Sequence, residues 1–110
     1  DFTYVDDIVS GTVNAATSNS VGEVLNLGGG SVISLKEIIQ IMKDMVGKDL
    51  KIKFVNEQKG DVKHTNADIS KSKKLIDYKP KTDIKTGLAL QFEYIKNNQN
   101  LYDSEIVYTK

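Results

Sequence analysis

Apolar positions along the chain switch between two spacings, and the switches mark its elements. Residues 1–4 are short and β-like. From Val5 the spacing turns helical, with Val5, Ile8, Val9, Val13 and Ala16 in register and Asp6 and Asp7 in the first turn, where acids suit the helix dipole. The run TSNS ends that helix. EVLNL, residues 23–27, predicts a short strand, and GGGS breaks regular structure after it. The strongest helix follows. Ser34 stands as N-cap with Glu37 three residues on, the spacing of a capping box. Leu35, Ile38, Ile39, Met42, Met45 and Val46 make one apolar stripe, and Gly47 supplies a C-terminal stop. KIKFV, residues 51–55, alternates, with Ile52 and Phe54 on one face, and predicts a strand with one buried side.

QKGDVKHTNAD, residues 58–68, then interrupts the pattern as a polar loop. Asp68 is expected to cap a short helix ending near Leu75 and Ile76. DYKPKTD is a turn holding Pro80, the single proline of the chain. Asp83 caps a last helix carrying Ile84, Leu88, Phe92 and Ile95. Beyond Asn97 the periodicity is lost, so residues 1–97 are expected to form the folded portion and 98–110 a tail or linker.

The predicted order is β-α-β-α-β-loop-α-α, an α/β pattern of short strands with packed helices. Three strands of four or five residues leave both sheet edges bare, and the helices carry apolar faces that so little sheet cannot cover. DFTYVDD also opens in mid-pattern, without a methionine. Both features lead us to expect a piece of a larger α/β protein.

The totals narrow the function. The chain has 110 residues, with fifteen basic and fifteen acidic side chains and a formal charge of zero. A neutral balance gives no electrostatic case for nucleic acid or an anionic membrane. No apolar run approaches the ~18 residues of a membrane span. The absence of cysteine removes disulfide and thiolate chemistry and is compatible with a cytoplasmic protein.

Few residues point to chemistry. Gly28 and Gly30 match the first two positions of a dinucleotide fingerprint, but Ile33 stands at the third, where close helix–strand packing needs glycine. The plainer reading is a flexible strand-to-helix turn. His64 is the single histidine and lacks an orienting partner or a ligand set. The lysines between Lys71 and Lys85 read as a solvated face, and Asp6 and Asp7 as helix-start acids. Asp61 differs. It follows Gly60, so a sharp turn can present its carboxylate, which suits a sugar diol as well as an Asx turn; Gln58 is placed to add a donor.

DFTYVDD, NLGGG before a Ser-capped helix, and QKGDVKHTNADISKSKKLIDYKPKTDIKTGL together resemble the C-terminal part of the nucleotide-sugar epimerases and dehydratases, the extended short-chain dehydrogenase/reductases. The pattern is most like the UDP-glucose 4-epimerases and their UDP-N-acetylhexosamine and UDP-glucuronate relatives. The resemblance implies a C-terminal substrate-binding portion whose Rossmann-type parent holds NAD in its N-terminal half. It implies C4 inversion of a UDP-sugar through a transient 4-keto intermediate, in a cytoplasmic and homodimeric parent. The chain has no GxGxxG, and none of its five tyrosines is followed four residues later by lysine, so catalytic and NAD-binding residues are not expected here and the segment alone should be inactive.

By position, the resemblance implies that Asp61 hydrogen-bonds the nucleotide ribose. Gln58 falls where some members place an arginine on the pyrophosphate, a contact that Lys59 is placed to make instead. Phe2 matches an aromatic near the nucleotide, and Leu35 an apolar residue near the uracil and ribose; either is equally a core position. Tyr78 stands for a common tryptophan. The alternatives are a nucleotide-sugar 4,6-dehydratase or 4-reductase and, from another class, a non-catalytic interaction module.

Overall fold

The computed structural model describes residues 1–56 and 59–101. Its elements are α1 (Val5–Thr17), α2 (Leu35–Val46), α3 (Ser70–Ile76), α4 (Ile84–Asn97) and a 3-10 turn at Gln99–Leu101. Helix α1 packs on α3, and α2 on α4. No described helix is long and apolar enough to cross a membrane.

Among the described residues there is no β-strand, which corrects the expectation for residues 1–4, 23–27 and 51–55. Alternation tells which side chains share a face but supplies no neighbour, and a strand exists only where a second one pairs its backbone groups. Val24 and Phe54 are 82% and 85% exposed, while Leu25 and Leu27 of the first segment pack on the core without a strand partner.

Local signals hold where their partners are near. Ser34 and Glu37 form the full capping box at α2, and Gly47 closes that helix in the left-handed region at φ 64°. Asp83 caps α4, accepting from the Thr86 N–H at 2.9 Å. Asp68 is a correction. Helix α3 starts at Ser70 with Ile69 as an N-cap that has no side-chain bond, while the Asp68 carboxylate accepts from the Ser70 N–H at 2.9 Å. Ile69 is buried, and seating it in the core sets the helix start beyond Asp68.

The core joins Ile69, Ile76 and Tyr78, with Ala15, Leu25, Leu27, Ala67 and Leu75 packed around them. Tyr78 is 1% exposed and is the largest fully buried side chain among the described residues. Its hydroxyl donates to the Gly28 carbonyl at 2.9 Å. The ring lies against α1 where Gly11 offers no side chain; a Cβ there would stand 2.8 Å from two ring carbons. Ser72, within the lysine-rich run, is fully buried and donates to the Asn26 carbonyl. Asp77 holds a left-handed φ of 50°, turning the chain so that Tyr78 enters the core.

Helix α1 presents an unexpected face. Asp7 and Gly11 are buried, whereas Val5, Val9 and Val13 stay more than half exposed. Asp7 does more than complement a helix dipole. Its carboxylate accepts from the Lys81 N–H at 2.9 Å and the Thr82 N–H at 3.1 Å, fastening the start of α1 to the turn before α4. Burying a carboxylate is costly unless such donors meet it.

Candidate functional site

Three segments without regular structure are drawn together by hydrogen bonds. They are residues 1–4, the glycine turn running into α2, and the polar loop before α3. One carboxylate joins them. Asp1 accepts from the Gly29 N–H at 3.2 Å and from the Ala67 N–H at 3.1 Å, and its own nitrogen donates to the Thr65 carbonyl at 2.8 Å. Backbones come very close here. A Cβ on Gly28 would lie 2.7 Å from the Ala67 Cβ, and one on Gly29 would lie 2.6 Å from the Phe2 carbonyl oxygen.

Between the segments lies a cleft of about 650 Å³, walled among others by Phe2, Val32, Leu35, Val62, His64 and Thr65. This size suits part of a small-molecule ligand rather than a single ion. Phe2 and Leu35, which sequence left open between core and ligand contact, are 46% and 64% exposed and share this cleft. Lys59 and Asp61 are exposed beside Gly60, whose φ of 100° makes the sharp turn that only glycine adopts readily. Neither lines the cleft; Asp61 adjoins Val62, which does. Gln58 lies outside the described residues.

Charge in the cleft is mixed, with Asp1, Glu37, Lys63 and His64 all among its lining residues. Glu37 is committed to the helix cap. Its carboxylate accepts from the Ser34 hydroxyl at 2.7 Å and the Ser34 N–H at 2.9 Å, and these bonds hold its pKa below the usual carboxylate range. Among the described residues no group of His, Cys, Asp and Glu is arranged to hold a metal.

The glycine turn does not fit a dinucleotide. A fingerprint loop offers free backbone N–H groups to a pyrophosphate. Here the Gly29 N–H is taken by Asp1, the Gly28 carbonyl by Tyr78, and the Asp1 carboxylate would repel a phosphate. Sequence reasoning missed Asp1 as the organiser of these segments, because its partners lie 28 and 66 residues away along the chain.

No family model matches the chain. It is 44% identical over 106 residues to the UDP-glucuronate 4-epimerase of Thermodesulfobacterium geofontis, covering 94% of this chain and 32% of that protein. An uncharacterized UDP-glucose epimerase of Bacillus subtilis is 34% identical, covering 96% of this chain and 33% of its own. Among solved structures, the UDP-glucuronic acid 4-epimerase of Bacillus cereus, in complex with UDP-glucuronic acid and NAD, superposes with a TM-score of 0.84. It is 38% identical, over 88% of this chain and 32% of that one. The chain thus spans about a third of the length of the curated relatives it matches.

Proposed function

We propose that this chain, homologous to the C-terminal portion of the UDP-sugar epimerases among the extended short-chain dehydrogenase/reductases, forms the substrate side of an NAD-dependent UDP-sugar 4-epimerase. The observation that carries the reading is the shared cleft. Phe2 and Leu35 open onto it, and Asp61, exposed in the Gly60 turn, immediately precedes Val62 of its wall. That cleft lies in a chain whose structural neighbour was solved with UDP-glucuronic acid and NAD.

The side chains suit the parts of a nucleotide. The Phe2 ring and the Leu35 side chain offer apolar surface to a base and ribose. The Asp61 carboxylate accepts from ribose hydroxyls, a charge-assisted contact. Lys59 carries the positive charge that a pyrophosphate needs. NAD, bound outside this chain, would supply the hydride chemistry at C4 of the sugar. The residues of this chain hold the nucleotide, so that the sugar is positioned rather than merely bound. The relatives' names divide between UDP-glucuronate and UDP-glucose, and comparing turnover of the two in the full-length enzyme separates them.

Calorimetric titration of UDP into the full-length enzyme tests the reading. Asp61→Asn is expected to weaken binding by about 1.5–3 kcal/mol, the range for a hydrogen bond to a charged group. Equal affinity in the variant and the wild type would remove Asp61 from the site.

A further inference from the structure

We infer that Asp1 is a positioning residue for substrate, holding the three walls of the cleft at their working separation through its two carboxylate oxygens; this rests on the function proposed above. The cleft is bounded by residues 1–2, by residues 32–35 with Glu37, and by residues 62–65. The Asp1 carboxylate bonds beside each wall. Oδ1 accepts from Gly29, at the foot of the segment that runs into residues 32–35. Oδ2 accepts from Ala67, two residues past Thr65. The first wall carries Asp1 itself, with the Thr3 hydroxyl donating back to Oδ1 at 3.3 Å.

Apart from the Asp1 nitrogen, which donates to the carbonyl and the hydroxyl of Thr65, the walls have little else to fix them. None of the three segments is part of a helix or a strand until Leu35 begins α2. Val32, Val62 and Leu35 are exposed and contribute no packed core on the cleft side. A Cβ on Gly28 would stand 2.7 Å from the Ala67 Cβ and 2.8 Å from Asp1 Oδ2, so the bridge packs directly on the glycine turn. Two backbone N–H groups from distant parts of the chain need two acceptor oxygens on one rigid side chain. Aspartate supplies them. Asparagine supplies one, and turns a donor toward the other N–H.

The experiment compares Asp1→Asn with Asp7→Asn in the full-length enzyme. Asp7 also bridges two backbone N–H groups through a carboxylate, but at the turn before α4, and neither it nor its partners line the cleft. Both variants are expected to lower the melting temperature. Only Asp1→Asn is expected to raise KM for the UDP-sugar, by about tenfold for one lost charge-assisted bond, with the content of bound NAD unchanged. Asp1→Glu keeps both oxygens but sets them one methylene out, and is expected to fall between wild type and Asp1→Asn; it carries the comparison if Asp1→Asn does not fold. Wild-type KM in Asp1→Asn, or in a folded Asp1→Glu, overturns the inference, as does an equal rise in Asp7→Asn. A wild-type enzyme that binds no UDP-sugar instead overturns the proposed function, so the two failures are told apart.

Discussion

Replacing Gly11 by alanine sets two effects of similar size against each other, and the structure decides the sign. In an open helix the change is favourable, by about 0.8–1 kcal/mol of helix propensity. At Gly11 the new methyl group would stand 2.8 Å from Cδ2 and Cε2 of Tyr78 and 2.9 Å from Cδ1 of Leu27. Carbon pairs settle near 3.5–4.0 Å, so the ring must move by about 1 Å. Overpacking of this kind costs about 1–3 kcal/mol. Tyr78 has no easy retreat, being 1% exposed and tethered to the Gly28 carbonyl, and moving it also strains a bond worth about 0.5–1.5 kcal/mol. The net expectation is a loss of about 2 kcal/mol.

Gly87 in α4 is the internal control. A Cβ there meets Tyr4 at 3.4 Å and Thr82 at 3.7 Å, which is ordinary contact, so Gly87→Ala should stabilise by about 0.5–1 kcal/mol. Urea denaturation of the full-length protein, with unchanged m-values, reads both differences. A Gly11→Ala protein as stable as Gly87→Ala would refute the packing of α1 against Tyr78.

Two further predictions concern stability. Tyr78→Phe leaves the buried Gly28 carbonyl without its donor and should cost about 1–2 kcal/mol in the same assay. Burial, and next the nearby Asp7 charge, raise the Tyr78 phenol above its ordinary pKa, so its contribution is complete below pH 10 and is lost as pH rises through the raised value; the Phe variant should lack that alkaline loss. At the acid end, Glu37, Asp68 and Asp83 are held below the usual carboxylate range. The Ser34 hydroxyl dominates for Glu37, the Ser70 hydroxyl for Asp68 and the Thr86 N–H for Asp83. A depressed folded pKa stabilises above the unfolded value, so stability should decline as pH falls below about 4, and circular dichroism across pH 2–6 should show helix loss beginning there. Helix content that is flat down to pH 2 would contradict these caps.

What sequence made legible was whatever closes within a turn or two of helix. The Ser34–Glu37 box, the Gly47 stop and the Asp83 cap each depend on residues three or four positions away, and each is present. Contacts that span the chain left no local trace. Asp7 looks like any acid in a first helical turn, yet its donors are 74 and 75 residues away. Tyr78 sits in a polar turn and nothing beside it announces a ring that fills the core. The strands failed for a related reason, since KIKFV alternates correctly but a ladder depends on a neighbour that alternation does not specify. The same holds for the Val5–Val9–Val13 stripe of α1, exposed here while the glycine side of the helix is buried. In the candidate site, the Gly60 turn was readable from one glycine. That Phe2 and Leu35 line one cleft was not, because they stand 33 residues apart and no local pattern links them.

The most direct measurement is a crystal structure of the full-length enzyme with UDP bound. Uridine density is expected in the cleft between Phe2, Leu35 and residues 62–65, with a ribose hydroxyl within hydrogen-bonding distance of Asp61. UDP bound elsewhere, with this cleft holding only solvent, would contradict the proposed function.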